Sequence, residues 1–465
     1  MARDVSDATL ITSRHDLVAW FEEGSKPNGP FRVGTEHEKF PFYTADHTPV
    51  PYEGLIGHGP AAAERGGIRS LLEGMQSSLG WDPIMDGEHI IGLFDAKEGG
   101  AISLEPGGQF ELSGAPVDSI HDNDAELKTH FAALHAISKP LGIEFLTLGM
   151  SPKWQRPEIP MMPKQRYRIM AKYMPSVGTR GLDMMFRTST VQANLDYASE
   201  ADMVKKLRVS LALQPLTTAL FANSPFMDGK PNGYLSGRSE VWRDTDNQRA
   251  GMLAFAFEDG MGFERYVDYA LDVPMYFVKR GGVYHDVAGM NFRDLLAGKL
   301  QALPGEQAML SDWANHLSTI FPEVRLKRYL EMRGADTGPL AFINALPALF
   351  VGLLYDSLAL DGAWELVKHW TPEARQVLRD EVPRLGLDAQ IAGRTLRDLG
   401  RDILSLSRQA LDRRAKFDAQ GRSEAYFLDP LDHVIAGGTQ AELLLATYEK
   451  EWAGNIDKVF DTCVY

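Results

Sequence analysis

The sequence is almost without cysteine: Cys463 is the only one in 465 residues. A lone thiol excludes an intramolecular disulfide and a zinc site built from several thiolates. Its place near the end of the chain, where chains usually fray, makes it a poor nucleophile. An unpaired thiol is the expected state in a reducing compartment, here taken to be the cytoplasm. Long apolar runs are also missing. The longest, Leu346 to Tyr355, contains Pro347 and Gly352 and falls short of the ~18 residues a membrane span needs. MARDVSDATL at the start has no apolar core of signal-peptide length and carries acids early. Positive charge is in deficit as well, 48 − 63 = −15. That excludes non-specific nucleic-acid binding, which needs a basic face, but leaves room for a local basic pocket. No G-x-x-x-x-G-K-[ST] holds a nucleotide in a P-loop, no G-x-G-x-x-G follows a strand, and no H-E-x-x-H binds zinc.

What is present suits a large packed core: 44% of residues are hydrophobic. There are no internal repeats, low-complexity tracts or Pro/Ser-rich linkers. The pattern predicts one α+β unit over residues 1–465, strand-rich from about 30 to 335 and helical from about 340 to 465. Ser13-Arg-His-Asp16 reads as a helix start, with Leu17, Val18, Trp20 and Phe21 as its apolar face. Residues 60–79, 122–141 and 200–222 also read as helices, the last opened by Ser199. Strands are expected at 31–40, 90–94, 101–104, 109–113, 144–149, 186–197 and 324–333.

Side chains two apart on a strand share a face. In GTEHEKF, Glu36 and Glu38 therefore point the same way, with Arg32, while His37 points the other way as a packed histidine. Gln109, Glu111 and Ser113 share a face, and Glu105 precedes a Pro-Gly-Gly turn that hides its direction. Thr188, Thr190, Gln192, Asn194 and Asp196 oppose Val191, Ala193 and Leu195. Arg325, Lys327, Tyr329, Glu331 and Arg333 oppose Val324, Leu326, Leu330 and Met332. One such strand is an ordinary wet face; four that carry carboxylates with guanidinium and amide groups point to a shared cavity. Clustered carboxylates repel unless a cation sits among them. A hard divalent ion such as Mg²⁺ takes oxygen ligands and keeps positions open for phosphate oxygens. Carboxylates for metal and arginines for anions are the equipment of phosphoryl transfer. The polar stretch 223–251 carries Arg238, Arg243 and Arg249 among hydroxyl groups. It is either a solvated loop or one that closes on a carboxylate or phosphate.

GTEHEKF, SLEPGGQFELSGAP, TVQANLDY, ALFANSPF, LSGRSEVWRDTDNQR and FPEVRLKRYLEMRGAD resemble the glutamate–cysteine ligases of the plant and proteobacterial type, through nearly the whole chain. The resemblance implies a glutamine synthetase-like carboxylate–amine ligase fold: a curved antiparallel sheet of about six strands lining the site, with helices around it. It implies ATP- and Mg²⁺-dependent joining of the L-glutamate γ-carboxylate to the L-cysteine amine through a γ-glutamyl phosphate, with two or more ions per site. This is the first step of glutathione synthesis. By the same resemblance Glu36, Glu38, Glu105, Glu111 and Glu331 are metal ligands. Arg325, Lys327 and Gln192 belong to cofactor binding, Gln192 standing where distant relatives have histidine. Arg333, Arg243 and Arg187 are the catalytic or substrate-binding arginines. Feedback by glutathione at the substrate site is expected, in a monomer or homodimer. With GTEHEKF starting at residue 34, no transit peptide is expected before it, and the regulatory disulfides of the plant enzymes have no second cysteine here. The rival readings are a ligase using another amine, a metal-dependent hydrolase that needs no nucleotide, and a non-catalytic metabolite-binding protein.

Overall fold

The computed structural model describes residues 6–54 and 65–465. Its centre is an eight-stranded sheet, built from β1 (Val33–His37), β2 (Asp82–Asp86), β3 (His89–Phe94), β4 (Ala101–Leu104), β5 (Phe110–Ser113), β6 (Thr190–Leu195), β7 (Val324–Leu326) and β8 (Leu330–Asp336). The order is β7-β8-β6-β1-β5-β4-β3-β2, and every neighbouring pair is antiparallel. The class is α+β, with two strands more than the expected six. β2 is one addition, hidden in the sequence by its mostly exposed, Asp- and Pro-containing pattern. The other is the division of VRLKRYLEMRG into a hairpin. The register Arg325↔Glu331 keeps both residues on one face across the turn, so the expected face survives although the single strand does not.

Two further expectations are revised in the same way. The strand read over 31–40 stops at His37, and Phe40–Tyr43 pairs instead with Ile143–Leu146 in a separate small sheet. The strand read over 186–197 begins only at Thr190, because Gly181–Arg187 is helical. Residues 60–64 of the helix expected over 60–79 lie outside the described residues; Ile68–Leu79 is helical, with Ile68, Leu71, Leu72 and Met75 buried as the spacing requires.

The helices around the sheet include α1 (Arg14–Glu22), α2 (Ile68–Leu79), α3 (Ile120–Ser138), α4 (Glu200–Leu220), α5 (Leu340–Leu354) and α6 (Leu396–Arg414). α5 packs on β1 and β6 and is backed by α6, while α4 packs on β8. Caps set their starts: Asp16 accepts from Ser13 N at α1, and Ser199 accepts from Asp202 N at α4. Val33, Thr35 and His37 of β1 and Val191, Ala193 and Leu195 of β6 are buried on this side. His37 is the packed histidine expected, stacked on Phe131 and edge-on to His130. Burial and the nearby Lys39 hold its pKa well below the usual imidazole range.

A bulge separates Met332 from Ala335, where β8 carries one residue more than β6 opposite. Arg333 sits in it, and a bulge re-aims side chains. Gly334 N donates to the buried Gln214 Oε1 at 2.8 Å, which fixes the irregular backbone. The polar stretch 223–251 is tied to the end of β8: Asp336 accepts from Asn223 N, Ser224 Oγ and Ser236 Oγ at 2.9, 2.6 and 2.9 Å.

The expectation of a frayed end around Cys463 is corrected. Cys463 O accepts from Thr147 N at 2.8 Å, Tyr465 N donates to Phe145 O, and the Tyr465 hydroxyl donates to Gly338 O at 2.9 Å. Among the described residues no single helix is long and apolar enough to cross a membrane. Burial pushes the Cys463 thiol up to about 11. In the folded protein Cys463 should therefore resist iodoacetamide at neutral pH and react only on denaturation, as read by mass spectrometry. Rapid alkylation of the native protein with loss of activity would contradict this placement.

Candidate active site

The even-numbered face of β1 and β6 opens onto two cavities that meet at Glu36. The outer cleft, of about 670 Å³, is lined by Lys26, Arg32, Gly34, Phe94, Asn194, Asp196, Arg328 and Tyr329 among others. The inner cavity, of about 90 Å³, carries Glu36, Glu38, Glu105 and Glu111 together with Lys164, Arg166, Gln192, Arg238, Arg325 and Arg333. The acids thus come from β1, its continuation, the turn after β4, and β5. The turn returns Glu105 toward the site: Gly108 has φ +85° and donates to Glu105 O, and a Cβ on Gly107 would lie 2.6 Å from Phe186 O.

These four acids have hydrogen bonds but no ion pair with lysine or arginine among the described residues. Glu36 accepts from Asn194 Nδ2 at 2.7 Å, and Glu38 from Thr190 N at 3.0 Å. Glu111 accepts from Ser103 and Ser113 Oγ at 2.6 and 3.1 Å, and Glu105 lies 3.5 Å from the Tyr167 hydroxyl. Burial, then Glu105 and Glu111 as like charges, pushes Glu38 well above the usual carboxylate range. Burial, with Glu331 and Glu111 as like charges, raises Glu36 as well. Carboxylates held together short of counter-charge are the donor set a hard divalent cation fits. No three such groups already converge on one point among the described residues, so the acids share a cavity without forming a closed cage.

Glu331 is different. It is fully buried and accepts from Arg325 Nη2 at 2.6 and 3.0 Å and from Lys327 Nζ at 2.7 Å, with Arg333 Nη1 on the same oxygen as the shorter Arg325 bond. Burial alone would raise its pKa, but the three cations hold it well below the usual range. Glu331 is therefore the counter-ion of a basic cluster, and its lone pairs are taken. Glu331 thus differs from the other four acids in pairing with the cations of its own hairpin. Lys327 pairs with Glu331 through its ammonium and lines neither cavity. Arg325 and Arg333 do line the inner cavity, and Arg333 also donates to Gln192 Oε1.

Two expected arginines lie elsewhere. Arg187 ends the helix Gly181–Arg187 and is held by Trp154 O at 2.9 Å and Asp228 at 2.5 Å. Arg243 follows the short helix Gly237–Val241, which turns it outward to Glu240 and Asp380 at 2.8 and 3.0 Å. Neither lines either cavity. The same helix turns Arg238 inward, where it is buried, donates to Arg333 O at 2.8 Å and meets the inner cavity. Sequence reading grouped Arg238 with its loop neighbours and did not single it out. Lys164, Arg166 and Tyr167 were missed altogether, since no strand alternation marks them.

A sheet that sets clustered carboxylates against guanidinium groups in one cavity carries the groups that phosphoryl transfer uses. The fold agrees: the structure aligns with a glutamate–cysteine ligase from Francisella tularensis in complex with AMP at TM-score 0.57 and 12% identity, over 94% of this chain and 88% of that one. The chain belongs to glutamate-cysteine ligase family 2, which it matches over residues 32–462. It is 51% identical over 459 residues to the chloroplastic glutamate–cysteine ligase of Arabidopsis thaliana, covering 98% of this chain and 84% of the relative. It is 51% identical to the chloroplastic glutamate–cysteine ligase B of Oryza sativa subsp. japonica, over 97% and 87% of the two chains. The chloroplastic relatives overturn the expectation of a cytoplasmic protein. A single thiol reports missing disulfides and carries no address.

Glu331→Gln leaves Arg325, Lys327 and Arg333 without their shared counter-charge. A loss of about 3–5 kcal/mol in denaturant unfolding is expected. The folded pKa of Glu331 is depressed, so its contribution is present above the unfolded value of 4.5 and lost as pH falls below it. The gap between wild type and variant should therefore narrow below about pH 4.5. An unchanged midpoint at neutral pH would contradict the assignment.

Proposed function

We propose that this chain joins the γ-carboxylate of L-glutamate to the amine of L-cysteine at the expense of ATP, giving γ-glutamylcysteine, ADP and phosphate, the first step of glutathione synthesis. The observation that carries the reading is the pairing of two cavities at Glu36, one of nucleotide size and one lined by unneutralised acids and arginines, in a chain of this family. ATP occupies the outer cleft with its phosphates toward Glu36. A glutamate γ-carboxylate oxygen attacks the terminal phosphorus and ADP leaves. The amine of cysteine then attacks the acyl carbon, phosphate leaves, and the amine loses a proton to give the amide.

In this reading Glu36, Glu38, Glu105 and Glu111 hold Mg²⁺, which supplies charge neutralisation for the transferring phosphoryl group. Arg333, aimed by the bulge and fixed by Glu331 and Gln192, faces that group. Arg325, pinned by Ser318 O at 2.9 Å as well as by Glu331, stands behind it. A preorganised donor array stabilises developing charge without reorganising. Met170, Met184 and Met185 give one wall of the inner cavity a polarizable apolar lining suited to a thiol. Glutathione carries the same γ-glutamylcysteinyl unit and would compete for this cavity.

ADP release with ATP, Mg²⁺ and L-glutamate should depend on L-cysteine, with γ-glutamylcysteine identified by mass. Preference for another amine would move the function to a related ligase, and absence of nucleotide turnover would refute it. Glu36→Gln and Glu38→Gln should lower kcat by at least about 100-fold while the fold persists. Near-normal rates at saturating Mg²⁺ would contradict the metal assignment.

A further inference from the structure

Beside the inner cavity lies a gap of about 20 Å³, lined by Arg238, Ser239, Trp242, Gly251, Phe321, Pro322, Glu323, Arg333 and Arg379. Arg238, Trp242, Phe321 and Arg333 line both spaces, so the two are continuous. Arg379 comes from the helix Pro372–Leu385, far from the sheet in sequence, and is buried. Its Nε pairs with Glu323 and its Nη2 donates to Ser239 O at 3.1 Å, while its Nη1 has no partner among the described residues. Arg238 is equally buried. Its Nη2 is taken by Arg333 O and its Nη1 lies 4.0 Å from Asp336, but its Nε also lacks a partner. Three guanidinium groups thus line a space that holds one carboxylate, Glu323, already bonded to Arg379.

Buried guanidinium nitrogens without partners are rare, because each forfeits its hydration. A carboxylate can accept an N–H from each of two guanidinium groups, so the free Nη1 of Arg379 and Nε of Arg238 are donors suited to one. The gap takes little more than one such group. A ligand occupying the inner cavity can place a terminal carboxylate there while its reacting end stays among the acids. We propose that the gap between Arg238, Arg333 and Arg379 is a subsite for the α-carboxylate of an amino-acid substrate, with Arg379 as a binding residue for it. The inference rests on the ligase reading above. Both amino-acid substrates carry an α-carboxylate, and the experiment separates them.

Wild type, Arg379→Gln and Arg379→Lys are assayed with L-glutamate against its α-amide, L-isoglutamine, and with L-cysteine against L-cysteinamide. The wild type should prefer the true substrate at the occupied position by roughly 10- to 100-fold in kcat/KM. Arg379→Gln should reduce that ratio toward one, mainly through KM for the acid, and Arg379→Lys should restore part of it. Collapse of the glutamate ratio alone assigns the subsite to glutamate, and collapse of the cysteine ratio alone assigns it to cysteine. A structural role would lower acid and amide together and leave both ratios unchanged, which would overturn the proposal even in an active enzyme. If the folded variants are too unstable to assay, the same ratios measured with Arg238→Lys decide it, with the same unchanged ratios overturning it. A wild type that forms no γ-glutamylcysteine would instead refute the ligase reading itself.

Discussion

The charge balance around Glu331 governs the site. One fully buried carboxylate holds Arg325, Lys327 and Arg333 on the edge hairpin of the sheet. Removing any partner would strand charge in a low-dielectric interior, so the cluster is an all-or-none arrangement. It locks the hairpin side chains into one geometry before any ligand arrives. It occupies three basic groups of that face, while Glu36, Glu38, Glu105 and Glu111 form no ion pair among the described residues.

That imbalance gives the cavity its chemistry. In the proposed function the acid face, short of cations, would take a divalent ion, and the arginine edge, fixed by its own counter-ion, would present donors to anions without rearranging. The bulge in β8 connects the two by turning Arg333 toward the acids, and Asp336 beyond it holds the segment that carries Arg238. Sheet irregularity, loop anchoring and electrostatics are therefore parts of one device.

Alternation in the sequence was enough to place Glu36, Gln192, Glu111 and Arg325 on one face, because a period of two survives any error in strand ends. It even survived the undetected hairpin at 324–334, since the Arg325↔Glu331 register preserves parity. It failed where structure leaves the strand. Arg187 was read as strand-borne and is the end of a helix; Arg243 was drawn from a loop whose short helix directs its neighbour Arg238 inward instead. Lys327 and Glu331 lay on the right face, yet only coordinates show that they satisfy each other. Arg379, on a helix that reads as ordinary amphipathic cover, gave no signal, because long-range convergence has no sequence period.

The proposal most open to a direct test is that Glu38 and its neighbours, rather than Glu331, hold a divalent cation. The direct measurement is calorimetric titration of Mg²⁺ into wild type, Glu38→Gln and Glu331→Gln in the presence of a non-hydrolysable ATP analogue. The account predicts saturable binding to wild type, its loss in Glu38→Gln, and its retention in any folded Glu331→Gln. Wild-type binding by Glu38→Gln, or its loss only in a folded Glu331→Gln, would contradict the account.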